Sequence, residues 1–239
     1  MCTVVKSMKR IALALLPFAL TIAAHAQTSV SIGPRVSSYS TDLDGGLNTI
    51  KTGRQSSYGL VGDFRTGKFV LDYMYDHDPE NGISVVDLLV DTGNYTRDRG
   101  EVTVGFEVLP VLDLQGGARF ESFRVGGIAI VGNPIFTDMN VDHQAIVFGV
   151  KLHTPPEQRL GLYAIARGYV GTAKIKTQDQ LRFDDDSSGY RFEGGLSVPL
   201  GESSWSIQPA VEYEHIKTSD VGLRLNTNRF ILGFVYRSR

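Results

Sequence analysis

Residues 69–76 read FVLDYMYD, and large apolar side chains occupy every second position from Phe69 to Tyr75. The alternate positions carry Asp72 and Asp76 together with two smaller apolar groups. Successive side chains of an extended strand point to opposite faces, so a period of two separates these two sets. The segment therefore predicts a β-strand with one apolar face and one mixed, charged face.

The same alternation recurs at 101–108, 190–198 and 205–214. Most candidate strands have close to the ~9 to 11 residues that a tilted strand needs to cross a hydrocarbon core. The ten candidate strands cover residues 29–40, 57–66, 68–76, 100–109, 112–124, 142–152, 160–172, 189–199, 205–215 and 224–237.

The connections between these strands alternate in length. Short links fall at 66–67, 110–111, 153–159 and 200–204. Longer links, mostly polar, fall at 41–56, 77–99, 125–141 and 173–188, with an intermediate one at 216–223. Short turns on one side and long loops on the other are typical of bacterial membrane barrels. We therefore predict an all-β fold: a single antiparallel up-and-down transmembrane β-barrel of about ten strands, or eight as the alternative, with short periplasmic turns and long extracellular loops.

Composition excludes several classes of protein. The chain has 239 residues, 42% of them hydrophobic, a formal net charge of -2 and one cysteine. One cysteine permits neither an internal disulfide nor a cysteine-only metal cluster. The charge balance disfavours a basic nucleic-acid binder, and no nucleic-acid partner is expected.

The first 26 residues have the features of a secretory signal peptide. Lys6, Lys9 and Arg10 precede the apolar run IALALLPFALTIAA at 11–24, and Ala24-His25-Ala26 forms a small-residue cleavage site. We predict a signal peptide at 1–26, export by the general secretory route and a barrel domain at 27–239. Met8 is an alternative start.

Alternation alone does not decide which face of the barrel wall contacts water. A soluble barrel such as a lipocalin places apolar side chains inside, whereas a membrane barrel places them against lipid. Loop asymmetry, the apolar final strand at 230–236 and aromatic residues near strand ends favour the membrane barrel. These aromatic residues are Tyr58, Tyr75, Tyr190, Trp205, Tyr213 and Tyr236.

Four segments carry a family resemblance: YGLVGDF at 58–64, FGVK at 148–151, RLGLYAIARG at 159–168 and the ending at 226–236. With the signal peptide, they resemble small bacterial outer-membrane β-barrel proteins of the OmpA-like or porin-like superfamily. The resemblance implies contact with the outer-membrane lipid bilayer and lipopolysaccharide, and insertion by the barrel assembly machinery. The family usually ends on its terminal aromatic residue, whereas Arg237-Ser238-Arg239 follow Tyr236 here.

If the apolar faces meet lipid, the charged faces converge in the lumen. Nine acids and five bases are expected there, and a barrel of this size is filled by side chains. The acid excess suggests, as a hypothesis, a narrow cation-preferring leak. The expected lumenal residues are Asp63, Arg65, Asp72, Glu101, Glu107, Asp113, Arg119, Glu121, Lys151, Arg167, Arg191, Glu193, Glu212 and Glu214.

Groups with possible chemistry are few. His215, Ser219 and Asp220 are similar to the histidine and serine of lipid A deacylases, but their spacing is wider than the His-x-Ser of those enzymes. Asp184-Asp185-Asp186 and residues 42–45 offer oxygen ligands without a full calcium-loop spacing. His77-Asp78 and Asp142-His143 lie near loop bases, where omptin-type proteases hold such pairs, but the omptin motifs are absent, and we interpret both pairs as surface residues. We assign no catalytic, cofactor-binding or metal-binding residues and expect no cofactor.

The leading functional prediction is a non-enzymatic structural or surface-interaction barrel. Its loops at 41–56, 77–99 and 125–141 would contact an external ligand that the sequence does not identify. The first alternative is a narrow pore or a conduit for a small hydrophobic solute, with apolar segments at 83–90 and 128–131 near its mouth. The second alternative is an outer-membrane lipid hydrolase.

Overall fold

The computed structural model describes residues 28–44, 49–51, 53–83, 90–91, 93–126, 129–130, 139–155, 160–177, 182–220 and 222–238. The predicted signal peptide at 1–26 and most of the apolar segments at 83–90 and 128–131 lie outside these residues. The ten long strands are β1 (Thr28–Asp44), β2 (Gln55–Thr66), β3 (Phe69–Ile83), β4 (Gly93–Leu109), β5 (Leu112–Gly126), β6 (Met139–His153), β7 (Gly161–Thr177), β8 (Arg182–Pro199), β9 (Trp205–Thr218) and β10 (Arg224–Arg237). Three short strands, Thr49–Lys51, Val90–Asp91 and Ala129–Ile130, lie between them.

The ten long strands form one closed antiparallel barrel. Each strand pairs with the next along the chain, and β10 pairs with β1, as in the register of Val36 with Leu232 and of Thr41 with Thr227. Beyond β10, the backbone N–H of Ser238 donates to the Val30 carbonyl at 2.8 Å, so the seam continues past Tyr236. Closure leaves no free sheet edge. The prediction of an up-and-down barrel with ten strands, rather than eight, is confirmed.

The wall of the barrel carries its apolar side chains outward. Val104 and Ile146 expose 57% and 70% of their surface on the outside, whereas Arg119 and Glu214 are fully buried inside. A soluble barrel has the opposite polarity, because water rather than lipid surrounds it. The outer apolar surface, called here the lipid-facing belt, runs on each strand through these segments: 30–36, 58–64, 69–75, 102–108, 112–120, 146–152, 162–170, 190–198, 205–213 and 230–236.

Aromatic rings border the lipid-facing belt on both sides. Tyr58, Tyr75, Tyr190 and Tyr213 lie on the outer surface toward the long loops. Trp205 stacks on Phe234 at the short-turn end, with ring centroids 4.7 Å apart, and contacts Tyr236. Tyrosine and tryptophan favour the membrane–water interface because one end of the ring is apolar and the other polar. The six aromatic positions predicted for these borders all lie on the outer surface.

Several strands extend beyond the predicted boundaries at the long-loop end. The links predicted at 77–99 and 173–188 are largely strand, and strand enters the link at 125–141 from both ends, because β3 runs to Ile83, β4 begins at Gly93, and β6 and β8 begin at Met139 and Arg182. In these extensions the polarity inverts, with polar groups such as Asp184 outside and apolar groups such as Val141 inside. The wall there faces water, so its outer side has no apolar periodicity to mark it as strand.

The opposite end of the barrel is closed by tight turns. Gly67, between β2 and β3, has a φ of 55° that favours glycine over residues with a Cβ. Pro110 and Val111 join β4 to β5, and the turn after β8 contains Gly201 with a φ of 64°. The described residues contain no helix that is long and apolar enough to span a membrane.

Candidate functional site

The charged groups of the barrel meet in one buried network near the long-loop border of the lipid-facing belt. We call this set the central network. All of its members are buried, and each makes at least one contact with a group of opposite charge. It consists of Arg35, Arg97, Arg99, Arg119, Arg167, Arg191 and Arg229 with Asp72, Asp76, Asp78, Glu101, Glu121, Glu212 and Glu214.

Glu214 on β9 is one of the carboxylates that contact three arginines. Its oxygens accept hydrogen bonds from Arg97 Nη2 at 3.1 Å, from Arg99 Nη1 at 2.7 Å and from Arg119 Nη2. Arg97 also donates to Glu121 Oε1 at 2.5 Å. Strands from opposite sides of the barrel are therefore joined across the lumen by charge-assisted hydrogen bonds.

Two further carboxylates extend the network on other strands. Asp76 on β3 accepts a bidentate pair from Arg35 on β1 and a bond from Arg99 Nη2 at 2.6 Å. Glu101 on β4 accepts from Arg191 Nη2 at 3.1 Å and from the Tyr169 hydroxyl at 3.1 Å, and it also pairs with Arg167. Paired and hydrogen-bonded charges of this kind tolerate removal from water.

The structure places all fourteen predicted lumenal residues on the inner face, and the central network contains six charged residues that were not among them. Arg97, Asp78 and Arg99 lie in segments predicted as loops, and Asp76 and Arg229 fall within predicted strands without being assigned to the lumen. Arg35 falls within the first predicted strand, also without being assigned to the lumen. Because four of the six are arginines, the central network contains as many bases as acids, and the acid excess behind the cation-leak hypothesis disappears there.

A layer of apolar side chains covers the central network on the long-loop side. This cap cluster comprises Tyr39, Tyr95, Phe123, Val125, Val141, Ala173 and Ile175, with Leu43, Ile216 and Leu225 beside it. His143 lies at its lower edge, 3.9 Å from Glu121, next to a cavity of about 20 Å³. Such a space holds about one water molecule, so the described side chains fill the lumen at this level.

The short-turn end of the lumen is polar and partly open to solvent. Arg65 donates to Glu107 Oε2 at 2.5 Å and to Asp113 Oδ2 at 2.8 Å, and its Nη2 lies 3.3 Å from His153 Nε2. Glu107, Asp113 and His153 bring possible metal-ligand atoms within 4.8 Å of one another. The Arg65 guanidinium occupies the position that a cation would take, so these residues form an ion-pair cluster rather than a metal site.

The predicted acid–histidine pairs are separated by the barrel wall. Neighbouring strand residues point to opposite faces, so His77 lies outside and Asp78 inside, and Asp142 lies outside and His143 inside. His77 Nδ1 instead lies 2.7 Å from Asp98 Oδ1 on the outer surface. Neither pair can act as a unit, and the interpretation of both pairs as surface residues is wrong for Asp78 and His143, which are buried on the inner face.

The barrel wall also separates neighbouring residues in the two aspartate-containing segments, 184–186 and 42–44. Asp185 points inward and is buried, whereas Asp184 and Asp186 point outward. Asp42 and Asp44 lie on one side of β1 and the intervening Leu43 on the other; Gly45 is outside the described residues. The three consecutive carboxylates therefore do not surround one ion.

The residues considered for lipid hydrolysis have separate partners. His215 Nδ1 lies 2.6 Å from Asn226 Oδ1 on the outer surface. The backbone N–H groups of Ser219 and Asp220 donate to the buried Asp185 carboxylate at 3.2 Å and 3.0 Å. The structure thus assigns Ser219 and Asp220 to the end of a hairpin.

Comparison with known proteins supports the architecture. No family model matches the chain, and no curated protein matches it by sequence. Similar solved structures include the translocator domain of the autotransporter NalP from Neisseria meningitidis, at 10% identity over 97% of each chain with a TM-score of 0.53.

Two further similar structures are more distant. The outer membrane protease OmpT from Escherichia coli is 8% identical over 88% of this chain and 96% of its own, with a TM-score of 0.49. The attachment protein Ail from Yersinia pestis is 14% identical over 89% of this chain and 99% of its own, with a TM-score of 0.37. At these identities the NalP domain indicates a shared fold and nothing about activity. The chain is a closed ten-stranded β-barrel with the fold of bacterial outer-membrane barrel proteins.

Proposed function

We propose that this chain is a non-enzymatic protein of the bacterial outer membrane with a structural or surface-interaction role. The observation that carries the proposal is the closed lumen beneath an apolar cap cluster, inside a wall with a lipid-facing belt. A barrel whose lumen is filled in this way has no aqueous path through it, so we assign its function to its exposed surfaces.

The orientation follows the usual arrangement of such barrels, with the short turns in the periplasm and the long loops outside the cell. The strand extensions then raise the loops above the membrane surface. Their inward apolar groups, such as Val141 and Phe123, pack as a soluble core does and hold the extensions in a fixed shape. The loops at 41–56, 77–99 and 125–141 are the proposed contact regions for an external partner.

Two alternatives have less support. A narrow pore requires a path through the central network, where Arg97, Arg99 and Glu214 are fully buried. A lipid hydrolase requires a nucleophile hydrogen-bonded to a base, whereas His215 pairs with an amide and Ser219 lies in a hairpin end. Export by the secretory route and insertion by the barrel assembly machinery remain part of the proposal.

Conductance in planar lipid bilayers tests the closed lumen. We expect the full-length protein, inserted reproducibly and with closure confirmed by its gel migration, to produce no stepwise current. Regular current steps with a fixed unit size would overturn the closed-lumen proposal, and selectivity for cations would favour the leak alternative.

A further inference from the structure

The ladder between β8 and β9 is interrupted inside the lipid-facing belt. Pairing runs down to Gly195 with Ala210 and resumes only three residues later along β8. Leu196 and Pro209 lie opposite each other in this gap, and both side chains face outward. The wall of the barrel therefore has a break in its pairing at membrane depth.

The chemistry of Pro209 explains the break. Alternate residues of β9 direct their backbone groups toward β8, as in the bond from the Ser219 N–H to the Asp186 carbonyl at 2.9 Å. Pro209 has the same orientation as Ser219 but carries no N–H. The Leu196 carbonyl therefore lacks its ladder donor at a depth where lipid supplies no replacement. Backbone of this kind is expected at membrane depth where it borders a cavity.

A second proline interrupts the ladder on the other side of the same hairpin. Between β10 and β1, the pairing misses two consecutive residues of β1, including Pro34. Pro34 has no N–H to donate to Phe234, which lies opposite it. Pro209 lies opposite Leu232, so the two interruptions fall within two residues of each other along β10. The lower part of the β9–β10 hairpin is thus bounded by an incomplete ladder on both sides.

The two strands of this hairpin are fully paired with each other. Their shared ladder has no gap along its length, and the Trp205 ring stacks on Phe234. We call the lower part of the hairpin, residues 205–210 and 231–236, the side panel. Because pairing is complete within the side panel and incomplete at its two borders, the panel can move as one unit.

Uncharged contacts close the break on its lumenal side. Gln208 Nε2 donates to Ser197 Oγ across the break at 3.4 Å. The Tyr163 ring lies against Gly195, where a Cβ would come within 2.7 Å of it, and its hydroxyl donates to Glu193 Oε1 at 3.0 Å. Gln208, Ser197 and Tyr163 are only partly buried. The break therefore borders the part of the lumen that is open toward the short turns.

On the membrane side, the break lies next to a groove in the lipid-facing belt. The groove has a volume of about 480 Å³. Its floor consists of small residues, Ala164 and Ala166 on β7 and Gly194 on β8, and Phe192 stands at its side. Gly194 lies two residues from Leu196 on the same face, about 7 Å along the strand. Lumen, break and groove therefore follow one another across the wall.

These surfaces define the chemistry of a molecule that would pass between them. The groove is apolar, and at the break Ser197 and Gln208 offer a hydroxyl and an amide but no charge. A charged molecule would lose its hydration there without gaining a partner of opposite charge. A small, uncharged, apolar molecule suits both the groove and the break.

We propose that the side panel opens at Pro209 and lets small uncharged apolar molecules pass between the membrane core and the short-turn end of the lumen. Opening breaks the bond between Gln208 and Ser197, and the Tyr163 ring lines the inner end of the passage. The passage does not cross the central network. The proposal therefore goes beyond the proposed function and is compatible with a lumen closed to ions.

The opening is tested by locking it. Ser197→Cys, Gln208→Cys places two thiols opposite each other across the break, in a Cys2→Ser background that has no other cysteine. The protein is inserted in lipid vesicles, and transfer of pyrene to protein-free acceptor vesicles is followed by stopped-flow fluorescence. We expect the wild type and the reduced variant to speed transfer several-fold over vesicles without protein. Oxidation of the pair should abolish this increase, and reduction should restore it.

The matched control pair is Ser187→Cys, Thr218→Cys, which crosses the same ladder where pairing is complete. Its oxidation should leave pyrene transfer unchanged. No increase with the wild type, or an increase that persists after the pair at the break is shown by mass spectrometry to be crosslinked, would overturn the proposal.

A second variant tests the break without a crosslink. Pro209→Val restores an N–H opposite the Leu196 carbonyl, so it should fold and slow pyrene transfer several-fold. Pro110→Val, in the turn between β4 and β5, is its control and should transfer pyrene as the wild type does. Wild-type transfer by Pro209→Val, or equal acceleration of the charged probe pyrenesulfonate, would contradict the assigned passage or its ligand class.

These tests are independent of the closed-lumen proposal. A protein that is silent in planar bilayers and does not speed pyrene transfer would retain the proposed function and lose only the side passage. A conducting protein whose pyrene transfer stops on oxidation of the pair at the break would do the reverse.

Discussion

Five of the seven carboxylates in the central network contact more than one guanidinium, and this sharing determines the effect of a single substitution; they are Asp76, Glu101, Glu121, Glu212 and Glu214. Glu214 bonds to three arginines, and Asp76 contacts three as well. Removing one carboxylate leaves several buried cations short of a partner, which costs far more than the loss of one surface ion pair. The stability of the barrel therefore depends most on the shared carboxylates.

Glu214→Gln should lower the free energy of unfolding by about 3 kcal/mol, because Arg97, Arg99 and Arg119 lose their shared negative charge. Urea unfolding in lipid vesicles, followed by fluorescence of the single tryptophan Trp205, measures the change. Glu202→Gln, in the exposed turn after β8, is the control and should have little effect. Equal stability of both variants would mean that the network does not hold the barrel together.

His143 is the residue for which we expect a pH effect. It lies above the lipid-facing belt, and burial lowers the pKa of its imidazole, with Arg119 and Arg97 opposing protonation while Glu121 favours it. The unfolded chain takes up the proton first, near pH 6.5, so the contribution of neutral His143 is lost as the pH falls below that value.

His143→Leu should remove this part of the pH dependence. Neither ring nitrogen has a hydrogen-bond partner among the described residues, so the apolar replacement should make the barrel more stable than wild type at pH 5. His77→Leu on the outer surface is the control. The urea midpoint is measured at pH 7.5 and at pH 5 for both proteins. If it changes between these pH values by the same amount in His143→Leu and in the wild type, the assignment of the pH effect to His143 is contradicted.

At the scale of the strand, one element serves two environments. β6 carries Ile146 and Phe148 toward lipid in its lower part, but Asp142 and Gln144 toward water in its upper part. On the inner face, Val141 belongs to the cap cluster, whereas Lys151 pairs with Asp72 at 3.0 Å. The inner and outer polarities therefore exchange at the membrane border without any break in the strand.

A lysine on the lipid-facing part of the outer wall should affect stability more than a lysine on its water-facing part. Val104→Lys, within the lipid-facing belt, should destabilise the inserted barrel by roughly 2 kcal/mol or prevent insertion. Gln144→Lys, on the water-facing upper part of β6, should insert with nearly wild-type stability. Gel migration and urea unfolding in vesicles report both outcomes, and equal tolerance of the two lysines would contradict the assigned position of the belt.

The whole molecule is stabilised by closure and by lateral pairing of every strand with its neighbours. The seam between β10 and β1 carries a long ladder, and it continues beyond Tyr236 through Ser238. A closed barrel resists detergent until heat breaks the ladder cooperatively, because no edge is available from which unpairing can start.

The intact protein in outer-membrane fractions should accordingly migrate differently in detergent gels before and after boiling. The change reports the closed barrel, and the fraction reports its compartment. Unchanged migration of a protein recovered from the soluble periplasmic fraction would favour the lipocalin-like alternative instead.

Much of the barrel was predictable from local chemistry. Alternation at 69–76 and 205–214 depends only on one face meeting an apolar medium, so those strands and the fourteen expected lumenal charges were identified. The upper parts of β3, β4 and β8 were missed because polar groups outside and mixed groups inside produce no apolar period. Arg97 and Arg99 lie in the upper part of β4, so they were not predicted as lumenal residues.

By itself, the sequence determined that this chain forms about ten strands with two chemically different faces, because side-chain direction along a strand follows from backbone geometry alone. Only the tertiary structure decided that seven arginines balance seven carboxylates in the central network and that an apolar cap cluster covers them. These features join residues from distant strands, and closure of the barrel is what brings them together.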